Sequence, residues 1–128
     1  MIHLDTSALI SALAGPRTAG PTLRGFIADG FRLGVSTMVL YEWWRGPRTP
    51  EQVADQEALL PSASAFAFGS REAEIASAIY RRLNRPRQRA ADIAIAACAI
   101  ANGASLWTLN PGDFRDIPGL ELAGFHAV

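Results

Sequence analysis

The sequence contains no lysine, and all 12 of its basic residues are arginine. A chain without an amine side chain cannot form a Schiff base or supply the phosphate-loop lysine of NTPases. Its one cysteine, Cys98, cannot form an intrachain disulfide and is too few for a zinc cluster. The two histidines, His3 and His126, stand at opposite ends of the chain, so no paired-histidine metal motif is present. Carboxylates and arginines therefore remain for polar chemistry.

The chain is short and rich in apolar residues. Its 128 residues, 49% of them hydrophobic, predict one domain spanning 1–128 with a sizeable core. Such a composition indicates a sheet buried on both faces, or apolar surface reserved for a partner. The 12 acids balance the 12 arginines, so net charge gives no reason to expect nucleic acid. Asp5 interrupts the apolar start, and Asn102 and Gly103 break the longest uncharged stretch, so we expect a cytoplasmic protein without a membrane span.

Strand and helix patterns alternate along the chain. Caps, glycines and prolines delimit helices predicted over 6–13, 22–29, 37–45, 50–60, 71–83 and 90–102. Alternating or short apolar runs predict strands over 1–4, 31–35, 63–66, 105–108 and 120–125, with a helical turn over 111–114. This alternation predicts an α/β fold with a parallel sheet covered by helices.

Two acids follow predicted strands. Asp5 comes directly after the first strand, and Asp113 lies in the loop after the 105–108 strand, with Thr108 and Asn110 beside it. In open α/β sheets, ligands bind at the carboxyl ends of the strands, where both acids would lie. Either acid alone is more simply explained as a cap or turn residue.

Two further acids lie in apolar helices. Glu42 is surrounded by apolar residues, a setting that charged groups avoid unless they are paired. Asp92 lies in the first turn of the 90–102 helix, where the helix N-terminus explains it, but that explanation does not extend to Glu42. Carboxylates that meet at one end of a sheet repel one another unless a divalent cation holds them. Carboxylate oxygens are hard ligands, and such ligands suit Mg²⁺ or Mn²⁺.

A run of arginines precedes Asp92. Five of them fall within nine residues without an acid: Arg81, Arg82, Arg85, Arg87 and Arg89. The run is either a solvated helix end or a contact for an RNA backbone, because the guanidinium group binds phosphate through two hydrogen bonds. For the second interpretation the candidates are Arg85, Arg87 and Arg89.

The aromatic residues are expected mainly in the core. Trp43 and Trp44 are adjacent on a helix and cannot share one face, so one is expected inside and the other exposed. The exposed tryptophan, with Arg45 and Arg48, could join a partner groove or a substrate-stacking surface. Phe66 and Phe68 are interpreted as core residues, as is Cys98 among the alanines of its helix.

Four motifs, in order and spacing, resemble those of PIN-domain nucleases. The run 2–7 resembles the opening of that family, and Ser36, Glu42 and Gly46 match its spaced serine, glutamate and glycine. The third and fourth motifs correspond to 92–97, followed by Gly103, and to 107–114. Chain length and the closing 117–120 are most similar to the VapC group, the toxins of type II toxin–antitoxin modules.

The resemblance implies a three-layer α/β/α fold around a mostly parallel sheet of four to five short strands. It further implies a Mg²⁺-dependent (or Mn²⁺-dependent) endoribonuclease that hydrolyses RNA through a metal-activated water. The family's catalytic, metal-holding acids carry over to Asp5, Asp92, Asp113 and Glu42, the last directly or through water. The supporting polar positions correspond to Thr6, Thr108 and Asn110. The implied partners are an RNA substrate, with transfer and ribosomal RNA as candidates, a cognate VapB-like antitoxin and a second copy of the chain.

Some positions depart from the family pattern, and other functions remain open. Ile93 and Trp107 replace smaller residues beside the acids, and Asp116 rivals Asp113 as the fourth acid, although the spacing from Asn110 favours Asp113. The main alternative is a catalytically silent PIN-like module that binds RNA or an antitoxin. A nuclease acting on DNA is another alternative. A phosphoacceptor receiver domain is disfavoured because such domains use a lysine that this chain lacks.

Overall fold

The computed structural model describes residues 1–124, in which strands and helices alternate. The three strands of its sheet are β1 (Ile2–Leu4), β2 (Leu33–Gly34) and β3 (Ser105–Trp107). The α-helices within these residues are α1 (Thr6–Leu13), α2 (Gly20–Ala28), α3 (Thr37–Arg45), α4 (Pro50–Leu59), α5 (Ser70–Arg82) and α6 (Ala90–Ala101). Short 3₁₀ turns occupy Ser62–Ser64, Pro86–Arg89 and Pro111–Asp113.

The sheet is parallel, with the strand order β2-β1-β3. In the central strand β1, Ile2 pairs with Leu33 on one side and with Ser105 on the other. All three residues of β1 are buried although successive side chains point to opposite faces, so both faces of the strand are covered. The predicted α/β fold with a parallel sheet is confirmed.

The outer strands are shorter than the sequence predicts. The segment predicted as a strand over 63–66 begins in a 3₁₀ turn, and only Phe66 forms an isolated parallel bridge, to Ser36. The segment predicted over 120–125 contributes one bridge, between Leu122 and Leu106, and its residue 125 lies outside the described residues. Gly124, the last described residue, has a φ of 79°, a left-handed conformation outside the range of an extended strand. The expected four to five strands are therefore three, with a single bridge at each side.

The helix starts follow local sequence signals. The Ser36 side chain accepts a hydrogen bond from the Val39 N–H and caps α3. Thr49 and Gln52 form a reciprocal capping box at the start of α4. Helix α2 begins two residues earlier than predicted because Pro21 fits in its first turn, where no N–H donor is required.

The aromatic residues divide between core and surface. Trp43 is completely buried and Trp44 is 47% exposed, as the prediction of one inside and one outside required. Phe66 is half-buried, with its ring centroid 4.8 Å from that of His3. The prediction that Phe68 belongs to the core was wrong: it is exposed and borders an apolar groove between α5 and α6. No helix within residues 1–124 is long and apolar enough to cross a membrane.

Candidate active site

The carboxyl ends of the three strands meet at one edge of the sheet and place polar side chains there. Asp5 follows β1, Ser36 lies two residues beyond β2, and Thr108 follows β3. A main-chain hydrogen bond of 2.8 Å from the Asp5 N–H to the Trp107 carbonyl continues the pairing of β1 and β3 to this point. Parallel pairing therefore fixes Asp5 beside Thr108, although they are 103 residues apart in the chain.

Asp5 is 6% exposed, and its carboxylate is held by two hydroxyl groups. The Oδ2 atom accepts hydrogen bonds from Thr108 Oγ1 at 2.7 Å and from Ser7 Oγ at 2.9 Å. Asp5 occupies the N-cap position of α1 without capping it through its side chain, which is directed towards Thr108 instead. The hydroxyl groups thus orient one carboxylate oxygen and leave the other available to a ligand.

Glu42 is held at the same edge from helix α3. Thr6 Oγ1 donates a hydrogen bond of 2.6 Å to Glu42 Oε1, and Arg45 Nη2 lies 3.5 Å from Oε2. The neighbouring Trp43 side chain is fully buried and anchors this turn of the helix. The sequence placed Glu42 in an apolar helix that requires a partner for the charge, and Thr6 and Arg45 are the partners in the structure.

Asp92 lies within electrostatic reach of the other three candidate acids. Its pKa is raised from its ordinary value of 3.8 to about 6, chiefly because burial disfavours the charged form. The next causes are the negative charges of Asp5, Asp113 and Glu42, in that order, and Arg89 opposes them. The carboxylates predicted from the sequence therefore share one region of negative potential.

Asp113 is carried by a segment that Arg89 fastens to the start of α6. The Arg89 guanidinium forms two hydrogen bonds with the Asp116 carboxylate, at 2.7 and 2.8 Å, and a third, at 2.8 Å, with the main-chain oxygen of Asp113. The Asp116 carboxylate raises the pKa of Arg89, while Arg89 holds the pKa of Asp116 below its usual range. Asp116, the rival fourth acid, is thus occupied by Arg89, and the Asp113 side chain stays exposed.

The three arginines predicted to contact RNA and the supporting residue Asn110 lie in different environments. Arg87 lies in the 3₁₀ turn before α6 and Arg85 directly precedes it, and both are exposed. Arg89, predicted as their companion, is only 20% exposed at its side chain and is engaged by Asp116. Asn110 joins the site through its main chain, whose N–H donates to Thr108 Oγ1 at 3.0 Å.

Ser7 lies within the 2–7 motif, but the sequence interpretation gave it no role in the site. Its hydroxyl contacts Asp5, lies 3.3 Å from Thr108 Oγ1, and accepts a hydrogen bond from the Leu109 N–H at 3.0 Å. It therefore joins the loop after β1 to the loop after β3. Its position two residues after Asp5, immediately beyond a strand, is the sequence signal by which it could have been found.

Within the described residues, no three Asp, Glu, His or Cys side chains lie close enough together to hold a metal ion as they stand. Individual hydrogen bonds hold Asp5 and Glu42, and side-chain rotation would be needed to gather the acids. The chemistry of the donors nevertheless fits Mg²⁺ or Mn²⁺, because all are carboxylate oxygens. The raised pKa of Asp92 also shows that a cation there would relieve uncompensated negative charge.

Several solved structures of known proteins share the fold of this chain. Solved structures with the same fold include VapBC2 from Rickettsia felis bound to a DNA fragment from its promoter, at 23% identity and a TM-score of 0.75, covering 98% of this chain and 100% of that one. DNA-bound VapBC from Salmonella typhimurium is 22% identical, with a TM-score of 0.75 and coverage of 94% and 95%. FitAcB from Neisseria gonorrhoeae is 20% identical, with a TM-score of 0.73 and coverage of 99% and 100%. No curated protein sequence matches the chain.

These likenesses establish a shared fold, and the sequence itself establishes the family. Residues 2–120 match the PIN domain, a stretch that includes all four candidate acids. This match excludes the phosphoacceptor receiver as an alternative. The chain belongs to the PIN-domain family.

Proposed function

We propose that this PIN domain is a Mg²⁺-dependent endoribonuclease that acts as the toxin of a VapBC-type module. The observation that carries the proposal is the raised pKa of Asp92, caused by burial and then by the charges of Asp5, Asp113 and Glu42 near the strand ends. A partly buried carboxylate beside other acids is costly unless it serves a ligand, and a divalent cation is the ligand that the chemistry of carboxylates favours.

In this proposal, Asp5, Asp92 and Asp113 hold Mg²⁺ or Mn²⁺, with Glu42 contributing directly or through water. The bound metal would lower the pKa of a water molecule and neutralise developing charge on the phosphate. The protein's own contribution is orientation: Thr108 and Ser7 fix Asp5, and Thr6 fixes Glu42. These hydroxyl groups act on ligand geometry in the way that outer-shell partners do in other metal sites.

The proposed partners are RNA, an antitoxin and a second copy of the chain. Arg85 and Arg87 are exposed next to the helix that carries Asp92, and they would contact the RNA backbone without reading its sequence. The VapBC neighbours are complexes of a toxin with its antitoxin, which supports a small VapB-like protein as partner. The apolar groove bordered by Phe68 and Tyr80 is surface that a second copy could cover.

The test is cleavage of structured RNA by the purified protein with Mg²⁺ or with EDTA. Wild type is expected to cut only with the metal, and Asp5→Asn is expected to keep the fold and lose at least about 100-fold in rate. Asp29→Asn is the matched control because Asp29 is exposed and borders the starts of the strands, at the opposite edge of the sheet. Cleavage by Asp5→Asn at the wild-type rate, or cleavage in EDTA, would reject the proposal.

The second candidate is a silent PIN module that binds RNA or an antitoxin without cutting. It is favoured by the finding that no three acids within residues 1–124 are grouped closely enough to hold an ion. A silent module would bind RNA but leave it intact at every Mg²⁺ or Mn²⁺ concentration. Single-stranded DNA of the same sequence, run in parallel, separates an RNA-cutting enzyme from one acting on DNA.

A further inference from the structure

Helix α3 presents an aromatic ring to solvent directly beside a candidate catalytic acid. Tyr41 is 58% exposed, the largest exposed fraction among the large hydrophobic side chains of residues 1–124. A single exposed aromatic residue needs no explanation by itself. Tyr41 is different because the guanidinium carbon of Arg45 lies 5.3 Å from its ring centroid.

Arg45 connects this ring to the acids. Its Nη2 atom lies 3.5 Å from Glu42 Oε2, and the other oxygen of Glu42 accepts the hydrogen bond from Thr6. Residues three and four apart are neighbours on a helix surface, so Tyr41, Arg45 and Glu42 follow one another across one face of α3. Aromatic ring, positive charge and site carboxylate are therefore contiguous.

The other aromatic and basic groups of this segment are already engaged. Arg48 lies over the Trp43 ring at 4.3 Å and donates to the Trp43 carbonyl at 2.9 Å. Trp44 donates from Nε1 to Gln56 Oε1 at 3.1 Å and is thereby fixed against α4. Tyr41 and Arg45, with side chains directed to solvent, are the pair that remains open to a ligand.

We infer that Tyr41 and Arg45 form a subsite for one unpaired nucleotide beside the scissile phosphate. The base stacks on the exposed Tyr41 ring, and Arg45 contacts the adjoining phosphate in place of Glu42. This inference rests on the proposed ribonuclease function and names two residues that position its substrate. A base in a duplex is stacked on both faces, whereas an unpaired base offers the free face that the Tyr41 ring requires.

The charge of the segment favours a nucleic acid strand as the occupant. Between residues 41 and 48 there are two arginines, Arg45 and Arg48, and one acid, Glu42, which is the acid proposed to serve the metal. Arg45 Nη2 lies 3.5 Å from Glu42 Oε2 and its side chain is 57% exposed, so a phosphate can replace Glu42 as the partner of Arg45. The combination of an aromatic platform with an arginine is the usual means of holding single-stranded nucleic acid without sequence readout.

The first experiment measures binding rather than cleavage. An unstructured 12-nucleotide RNA with a fluorescent label is titrated with the full chain carrying Asp5→Asn, so that the strand stays intact. Adding Tyr41→Ala is expected to weaken binding about tenfold, within the range for loss of one base stack, and Tyr41→Phe to leave it within about twofold. The matched control is Phe31→Ala, because Phe31 is 48% exposed but borders the opposite edge of the sheet.

A second measurement assigns the effect to stacking. A series of the same RNA is made in which each member lacks the base at one position. One member of the series is expected to bind the parent protein about tenfold more weakly than the intact RNA does, and to show no such loss with Tyr41→Ala. Equal binding by the Tyr41→Ala and parent proteins, or an equal loss from Phe31→Ala, would overturn the subsite. Failure of the proposed function gives a different result: RNA binding depends on Tyr41, but the wild-type protein does not cut the RNA.

Discussion

Replacing Asp92 with asparagine should stabilise the metal-free protein at neutral pH while removing a group that the proposed metal site requires. The substitution preserves the size of the side chain and removes its charge. Asp92 has a pKa of about 6 in the folded protein, against an ordinary value of 3.8. A group whose pKa is raised by folding contributes fully to stability below the unfolded value, and that contribution is lost as pH rises through the folded value. At pH 7 the wild type therefore carries the whole cost of the buried charge.

The magnitude follows from the size of the pKa change. A difference of about two pH units corresponds to about 3 kcal/mol as an upper bound. Asp92 is only half-buried, so solvent screening reduces the cost to about 1–2 kcal/mol. Asparagine also loses the attraction of a carboxylate to the N-terminus of α6, about 0.3–1 kcal/mol. The net expectation is a gain of about 1 kcal/mol, or about 3–5 °C in Tm.

The assay is urea or thermal unfolding of wild type and Asp92→Asn in EDTA, at pH 7 and at pH 4. The variant should be more stable at pH 7, and the difference should shrink towards pH 4, where the Asp92 carboxyl group is protonated in the folded state and close to half protonated in the unfolded state. Asp29→Asn, which removes an exposed acid from the opposite edge, should stay within about 0.5 kcal/mol of wild type. Addition of Mg²⁺ should stabilise wild type more than Asp92→Asn, because the ion binds the folded state. An Asp92→Asn protein that is no more stable than wild type at pH 7 would refute the claim that burial and the neighbouring acids make the charge of Asp92 costly.

Three further perturbations follow from contacts in the structure. Burial, assisted by the N-terminal ammonium group, lowers the pKa of His3 to about 4. Because the unfolded state binds the proton more readily, acidification from pH 6.5 to 4 should reduce the free energy of unfolding by up to about 3 kcal/mol. His3→Leu should lose that slope in urea midpoints, and parallel pH profiles for variant and wild type would contradict it. Arg89 holds the segment that carries Asp113, so Arg89→Ala should raise the Mg²⁺ concentration for half-maximal thermal stabilisation about tenfold. Arg17→Ala, which breaks the remote pair with Asp55, should leave that concentration unchanged. Joint replacement of Arg85 and Arg87 by alanine should reduce the slope of log K against log salt for single-stranded RNA by about 1.4, and an unaltered slope would exclude both as phosphate contacts.

The position of the acids was predictable because it depends on topology rather than on side-chain detail. An alternation of strands and helices predicts parallel pairing, and parallel strands bring their carboxyl ends to one edge. Asp5 and Asp113 follow strands, so the sequence alone predicts that they meet. That the charge of Glu42 needs a partner was predictable from its apolar helix, although the identity of the partners, Thr6 and Arg45, was not.

The details that sequence did not predict depend on contacts between distant segments. A cluster of arginines is consistent with a solvated surface, and nothing local distinguishes Arg89 from Arg85 and Arg87. Its engagement arises because Asp116, 27 residues further on, returns to the same place in the fold. The ends of the outer strands were also overestimated, because apolar alternation predicts extended backbone but not whether a neighbouring strand is there to pair with it.

The arrangement of Arg89 explains why Asp92 remains electrostatically uncompensated beside a permanent cation. The planar guanidinium offers its N–H groups in a fixed fork, and Arg89 directs three hydrogen bonds to Asp116 and the Asp113 main chain. Its charge lowers the pKa of Asp92, but this is the smallest of the contributions there and does not offset burial and the other acids. A lysine at this position could swing its single ammonium group onto Asp92 and occupy the place of a metal ion. An arginine held by Asp116 fastens the segment that carries Asp113 and leaves the other carboxylates open to the proposed divalent cation.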